Sequence, residues 1–346
     1  MKRFRLHAVP VFALSLVIQL PAEDVPAAKT AMVKVPGPKS RTIEFNYGFV
    51  IKDVPPKTRR LHVWIPMPQN TALQKLNSYR LRSSVGAVNY STYRDYENHN
   101  AFMHFDLSRY AKMGKEEVSV DIIFNVTRNA YHDSWSEGAD EQLSPIVRKR
   151  YLSPRKLVPV AGKLADEAWE IIGTEEDAHT RARLLYDHIV DTVKYDQTGK
   201  GWGRGDAGYA CDVRKGNCTD FHSLFIGEAR SVNIPSRFIM GFPIPEGAAG
   251  KIKGYHCWGE FFIEGRGWLP IDASEAHRHP HKKEAFFTGL DANRIQFSVG
   301  RDIHVPKTRT RRLNYFIYPH IQANGLHHES VESRFSYREV VEEEEE

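Results

Sequence analysis

The sequence is poor in cysteine, with three in 346 residues. That number is too small, and odd, for a disulfide-stapled scaffold. No apolar run reaches the roughly 20 residues that a membrane-crossing helix needs. Neither sign of charge dominates: 48 Lys and Arg stand against 43 Asp and Glu, a net +5, which excludes the basic signature of a nucleic-acid binder. Phosphate-binding loops are missing too. The glycines between Gly199 and Gly208 fit neither GxxxxGK[ST] nor a strand–GxGxxG–helix context. No DxDxDG-type loop points to calcium. What remains is an ordinary globular composition, 41% hydrophobic and 26% charged, long enough for two domains.

The N-terminus has the layout of a secretory leader. Lys2, Arg3 and Arg5 give a positive start, Val9 to Leu20 is largely apolar, and Ala22 or Ala27 offers a small residue for cleavage. The expectation is export to the periplasm or beyond, or membrane attachment if the leader stays uncleaved. Residues 28–40, rich in Pro, Ala and Lys, read as a linker, and Glu342–Glu346 as a solvated acidic tail.

Two textures divide the body. Thr42–Ile51, Arg60–Ile65, Asn100–Leu107 and Glu117–Arg128 are β-branched and aromatic, with turn residues between them. Such spacing predicts an antiparallel β-sandwich over residues 41–150. Leu164–Ile172 and Ala178–Val193 change to helical periodicity, the second behind a Thr174–Asp177 capping pattern. Residues 155–320 are therefore expected to form a second domain of mixed α+β character, with 321–346 as a C-terminal extension. The glycine-rich stretch 199–208 reads as a flexible surface loop.

The chemistry gathers in that second domain. Gly216-Asn217-Cys218-Thr219-Asp220-Phe221-His222 opens an apolar helix, so Cys218 lies at a helix N-terminus. The partial positive charge there favours thiolate over thiol, and thiolate is the nucleophilic form. Downstream, Ser236–Gly241 reads as a strand. Tyr255-His256-Cys257-Trp258 begins another, and a turn at Glu264-Gly265-Arg266-Gly267 leads into Trp268-Leu269-Pro270-Ile271-Asp272. This hairpin can set His256 beside Asp272 and bring both to Cys218. His256 would then serve as general base and acid, with Asp272 fixing its tautomer.

These blocks, with Ile234-Pro235-Ser236-Arg237-Phe238 between them, resemble the transglutaminase-like superfamily from about Leu164 to Asp272. The resemblance implies a papain-like core behind the β-sandwich and a Cys218–His256–Asp272 triad. It implies no cofactor and no metal. The substrate class it implies is a peptide or protein amide, attacked to give a thioester that water or an amine resolves, with hydrolysis favoured over cross-linking. The backbone N–H of Cys218 would form one arm of an oxyanion hole. Trp202 is the candidate for the other, with Tyr195, Gln197 and Tyr209 competing. The alternative is a binding or scaffold protein that keeps the fold without catalysis.

Other residues invite weaker readings. His277, His279 and His281 alternate, but Pro280 interrupts them and no further ligand completes a zinc-type set. His222 could face the site or simply pack. Period-two alternation sends Cys257 to the face opposite His256, and Cys211 and Cys257 could pair. Asp220 and Glu260 read as ionic supports.

Overall fold

The computed structural model describes residues 18–21, 40–86, 88–95, 97–108, 117–132, 142–306, 308 and 312–340. It is an α+β protein built from three antiparallel sheets, two minor strand pairs and six short to medium helices among those residues.

The first sheet has six strands in the order Ile18–Pro21, Gln74–Ser83, Val118–Asn129, Ser40–Ile51, Val331–Glu339 and Ala249–Ile252. Its centre follows from strict alternation. Val118, Val120, Ile122, Phe124 and Val126 are buried, while the residues between them are half-buried. Phe45 faces Phe124 across the ladder. The second sheet orders Leu326–His327, His320–Ala323, Arg60–Pro66, Asn98–Asp106 and Asn89–Asp95. Leu61, Val63 and Ile65 of this sheet share one apolar core with Phe45 and Phe49 of the first. These two sheets form the sandwich.

The strand-rich texture predicted for 41–150 is there, but the sandwich is not made from that segment alone. Val331–Glu339 pairs with Ser40–Ile51 over nine residues, and His320–Ala323 pairs with Arg60–Pro66. Much of the segment read as an extension, 321–346, therefore completes both sheets. Ile18–Pro21, inside the expected leader, lies antiparallel to Gln74–Ser83. Removal of a leader would leave Gln74–Ser83 as the sheet edge. The rest of residues 1–27, residues 28–39 of the 28–40 linker and the acidic tail lie outside the described residues, while Ser40 opens a strand.

The third sheet orders Gly267–Ile271, His256–Ile263, Ser236–Pro243 and Arg294–Val299. The helix Cys218–Ser231 packs against it and is buried from Cys218 to Arg230. Helices Lys163–Ile172 and Ala178–Thr192 cover that helix. The cap of the second is Asp177, whose carboxylate accepts from the Thr180 N–H at 2.8 Å. Thr174 does not serve as the cap, because the chain becomes helical only after Asp177.

Sandwich and third sheet meet at Arg294–Val299. Phe297 packs its ring among Phe45 (5.5 Å), Tyr47 (5.9 Å), Phe124 (5.8 Å) and Phe242 (5.1 Å). Burying one such ring contributes about 2 kcal/mol. Side-chain amides supply bonds that a further strand would otherwise make. Gln74 both donates to the Gln296 carbonyl (2.9 Å) and accepts from its N–H (2.7 Å). Asn98 does the same for Val299, at 2.8 and 2.6 Å. The sandwich thus fixes the strand that begins at Arg294, and Arg294 reaches the candidate site.

Candidate active site

Local sequence explains how Cys218 is presented. Asn217 is the N-cap of its helix, and its side-chain oxygen accepts from the Thr219 N–H at 2.9 Å. Asp220 returns the interaction by accepting from the Asn217 N–H at 3.0 Å, closing a capping box. A Cβ at Gly216 would fall 2.3 Å from the Asp220 carboxylate, so only glycine lets the chain pass there. Asp220 also accepts from the backbone N–H groups of Gly203 (2.6 Å) and Gly205 (3.0 Å). Burial pushes its carboxyl above the ordinary range, and these three amides act in the opposite direction.

The glycine-rich segment is therefore pinned, not a free loop. Arg301 holds its other side, donating to the carbonyls of Arg204 and Gly205 and to Ser223 Oγ. A carboxylate and a guanidinium, both buried, satisfy backbone groups that a surface loop would leave to water. The loop gives way to a helix, Ala207–Val213.

The hairpin brings His256 and Asp272 together. His256–Ile263 pairs with Gly267–Ile271, and Asp272 follows directly. His256 Nε2 lies 2.7 Å from Asp272 Oδ2. The same oxygen accepts from Arg294 Nη1 at 2.7 Å, while Oδ1 takes Ser274 Oγ and the Glu275 N–H, each at 3.0 Å. Asp272 is at once the cap of the helix Ala273–Arg278 and the acceptor for the imidazole. It is fully buried. Burial alone would raise its pKa, but His256, Arg294 and His222 hold it far below the usual carboxylate range. With Nε2 occupied, His256 keeps Nδ1 for Cys218, and each of the two side chains favours the charged form of the other.

The electrostatics favour a charged pair. The neighbouring Cys257 side chain is the largest influence on Cys218 and lowers its pKa; burial opposes it, and His256 adds to the lowering, leaving the thiol at about 6. Burial would lower His256, but the charge and hydrogen bond of Asp272, followed by Cys218, raise it to about 10. Between those values the pair is thiolate and imidazolium.

Of the oxyanion candidates, Tyr195 pairs into a two-residue parallel ladder with Lys215–Gly216, two residues before Cys218. Burial raises its phenol first, and the Cys218 charge adds to that. Trp202 is half-buried in the pinned loop, next to the anchored Gly203. Tyr209 packs its ring against Gly201. Tyr255, whose hydroxyl accepts from Asn217 Nδ2 at 3.2 Å, and Tyr315 also border the thiol.

Several neighbours escaped the sequence reading. Arg294 has no role assigned from the sequence, and its role arises from a strand that the sandwich positions. His222 does face inward, with Nδ1 2.8 Å from the Cys218 carbonyl. Cys257 is fully buried, with its sulfur 3.7 Å from His222 Nδ1 on the helix that Cys218 opens. Cys211 and Cys257 are free and unpaired with each other; Cys211 donates to Glu167 Oε2 at 3.1 Å. Glu260 pairs with Arg237 at 2.6 Å. His277 bonds the Val190 carbonyl, and no group of three or more metal-ligating side chains occurs among the described residues. An open cleft of about 740 Å³ lies beside Lys163, Glu167, His188 and Arg214, and no triad candidate lines it.

With this geometry in view, comparison with known proteins shows what the chain is similar to. Residues 166–273 match the model of the transglutaminase-like superfamily. An uncharacterised protein of Haemophilus influenzae is 24% identical over 306 residues, covering 76% of this chain and 81% of the relative. A candidate cysteine protease from Cytophaga hutchinsonii aligns in structure over 87% of this chain and 98% of its own, at TM-score 0.51 and 14% identity. That likeness extends the shared fold beyond the matched segment. The periplasmic domain of TgpA from Pseudomonas aeruginosa covers 70% of this chain and 92% of its own, at 15% identity and TM-score 0.36. No helix among the described residues is long and apolar enough to cross a membrane.

Proposed function

We propose that this chain is a cysteine-dependent acyl-transfer enzyme acting on peptide or protein amides, with hydrolysis as its main outcome. The observation that carries the reading is the His256–Asp272 bond of 2.7 Å at the end of the hairpin, on an imidazole that acts on the charge of a cysteine at a helix N-terminus. The Cys218 thiolate attacks the amide carbonyl carbon. Negative charge gathers on the carbonyl oxygen, where the Cys218 N–H, with no partner inside its own helix, can donate. The imidazolium of His256 gives its proton to the leaving nitrogen as the C–N bond breaks. A thioester remains. Neutral His256 then takes a proton from water, the hydroxide adds to the thioester, and acid and thiolate are released.

Trp202 is proposed as the second oxyanion donor. Tyr195 is favoured as the alternative by its ladder to Gly216. Export rests on the leader-like residues 1–27, and a secreted protein whose mass begins at Glu23 or Ala28 is the outcome this reading requires. A full-length chain in the cytoplasm would defeat it.

The chemical outcome is tested on a degenerate peptide library mixed with a labelled primary amine. Mass spectrometry is expected to find new peptide termini in large excess over amine-tagged products. Predominant tagging would make the chain a transferase. Neither product would favour the scaffold reading.

A further inference from the structure

We propose that His222 is a positioning residue for the reaction: its buried imidazole braces the backbone of Cys218 against the turn that carries Asp272, and so fixes the gap in which His256 works. The inference rests on the reading of Cys218 as nucleophile and Asp272 as orienting carboxylate.

The brace consists of two hydrogen bonds on one ring. His222 lies one turn after Cys218 on the same helix and is fully buried. Helical side chains lean towards the N-terminus, so a ring four residues on can reach back to the Cys218 carbonyl. Its Nε2 is 3.1 Å from the Ala273 nitrogen, whose N–H can only donate, so Nε2 is the acceptor. The neutral ring then carries its proton on Nδ1, which donates to the Cys218 carbonyl at 2.8 Å. One arm therefore ends on the nucleophile's own residue and the other on the residue that follows Asp272. Ala273 is the first residue of its helix, where a backbone N–H has no partner within the helix. Ala273 is buried as well, so the imidazole takes up a donor that water does not reach.

This junction matters because the triad candidates come from separate elements. Cys218 opens one helix, Asp272 caps another, and His256 opens a strand. The hairpin sets His256 against Asp272, but it does not set either of them against Cys218. For one imidazole to serve both, the two helix starts must be held at a fixed separation. His222 joins those starts directly, through a rigid planar ring. A misplacement of about 1 Å costs about 100-fold in rate, so such a brace acts on the chemical step more than on substrate binding.

The groups that face the ring leave the brace intact. Cys257 Sγ approaches Nδ1 at 3.7 Å, and Asp272 Oδ1 lies 3.6 Å from Nε2. That oxygen already accepts from Ser274 Oγ and the Glu275 N–H, each at 3.0 Å, and needs no proton from His222. A second proton on the ring would set a donor against the Ala273 donor. Burial disfavours that proton, Asp272 favours it, and the charges of His256 and Arg294 oppose it again, which leaves His222 at about 4. The ring is thus neutral wherever Cys218 and His256 form their charged pair.

The test compares wild type with two variants. His222→Phe fills similar space with neither arm, and His222→Gln keeps a side-chain oxygen that can accept from the Ala273 N–H. Phenylalanine is expected to lower kcat for peptide turnover by about 100-fold, with KM little changed. The midpoint of Cys218 alkylation by iodoacetamide should rise by about one pH unit, a rate near pH 6 about fivefold lower. Glutamine should recover most of both. A histidine that only fills space would be replaced by phenylalanine with kcat and midpoint unmoved, and that result overturns the proposal. So does a loss that falls on KM alone. If the phenylalanine variant does not fold, His222→Asn decides together with glutamine. Each keeps one arm, so each is expected to lower kcat and raise the midpoint in part, and two variants that match wild type overturn the proposal. Cys218→Ala separates this inference from the reading beneath it. If that variant cleaves peptide as wild type does, the nucleophile reading fails and the brace with it. If it is inactive while His222→Phe matches wild type, only the brace fails.

Discussion

Replacing Cys218 with alanine is expected to lower peptide turnover by about 10,000-fold or more, with the fold retained. Removal of the nucleophile in a triad leaves only the binding and oxyanion contributions, and the loss is then nearly as large as loss of the whole triad. Cys218 is small and 3% exposed, so alanine leaves little empty space and the helix keeps its Asn217–Asp220 capping box. Turnover in the peptide assay and a denaturation curve on the same sample check this together. Residual turnover within tenfold of wild type would rule out Cys218 as nucleophile. The substitution should also free His256 from part of what raises it, and its pKa should fall below about 10 while Asp272 still holds it up.

Asp272→Asn is expected to lower the rate at neutral pH by about 1,000-fold. Two effects combine. An amide can present its nitrogen to His256 and so select the wrong tautomer. It also removes the charge that holds the imidazolium against burial. In the wild type the acid limb should lie near 6, where Cys218 protonates, and the alkaline limb near 10, where His256 loses its proton. In the variant the two limbs should close towards each other until little of the ion pair is left. A variant with both limbs unmoved would show that Asp272 does not set the charge state.

Stability should change with it, since Arg294 loses one of its two carboxylate partners in a buried setting. Breaking a buried pair from one side costs about 3 kcal/mol or more. The sign with pH is fixed. Asp272 is depressed in the folded protein, so its contribution is full above its unfolded value and is lost as pH falls through the folded one. The wild-type advantage over the variant should therefore shrink in acid. The Cys218–His256 pair behaves differently. Raised His256 contributes stability that is complete below about 6.5 and fades as pH rises towards 10. Depressed Cys218 contributes stability that is complete above about 9 and fades as pH falls towards 6. The two slopes oppose each other across the same window, so the pair serves reactivity more than stability.

How much of this could be read from the residues depends on how local each feature is. Cys218, His256 and Asp272 are each marked by their immediate neighbours: a glycine and a cap before the cysteine, an aromatic strand around the histidine, and a turn before the aspartate. The hairpin joining the last two is short, so their meeting is a local event. The strand Val118–Asn129 was legible for the same reason, as its alternation runs unbroken. Gln74–Ser83 and Asn89–Asp95 were not, because their partly exposed faces carry Arg, Ser and Asn in place of an apolar stripe. Val331–Glu339 has a polar face as well, and its partner lies about 290 residues earlier. No local pattern could announce that pairing. Arg294 was hidden for a related reason. Its meaning depends on Gln74 and Asn98, which hold its strand from the sandwich. The pinned loop shows the opposite case. Its glycines were visible, but the buried Asp220 and Arg301 that stop it moving come from the helix start and from a later turn.

The central claim is that Cys218 rests as a thiolate paired with His256, and the most direct measurement is the midpoint of its alkylation by iodoacetamide across pH. A half-maximal rate near pH 6, on a peptide that contains Cys218 and is absent from the Cys218→Ala protein, is the predicted result. A midpoint near the ordinary thiol value of 9 would contradict it.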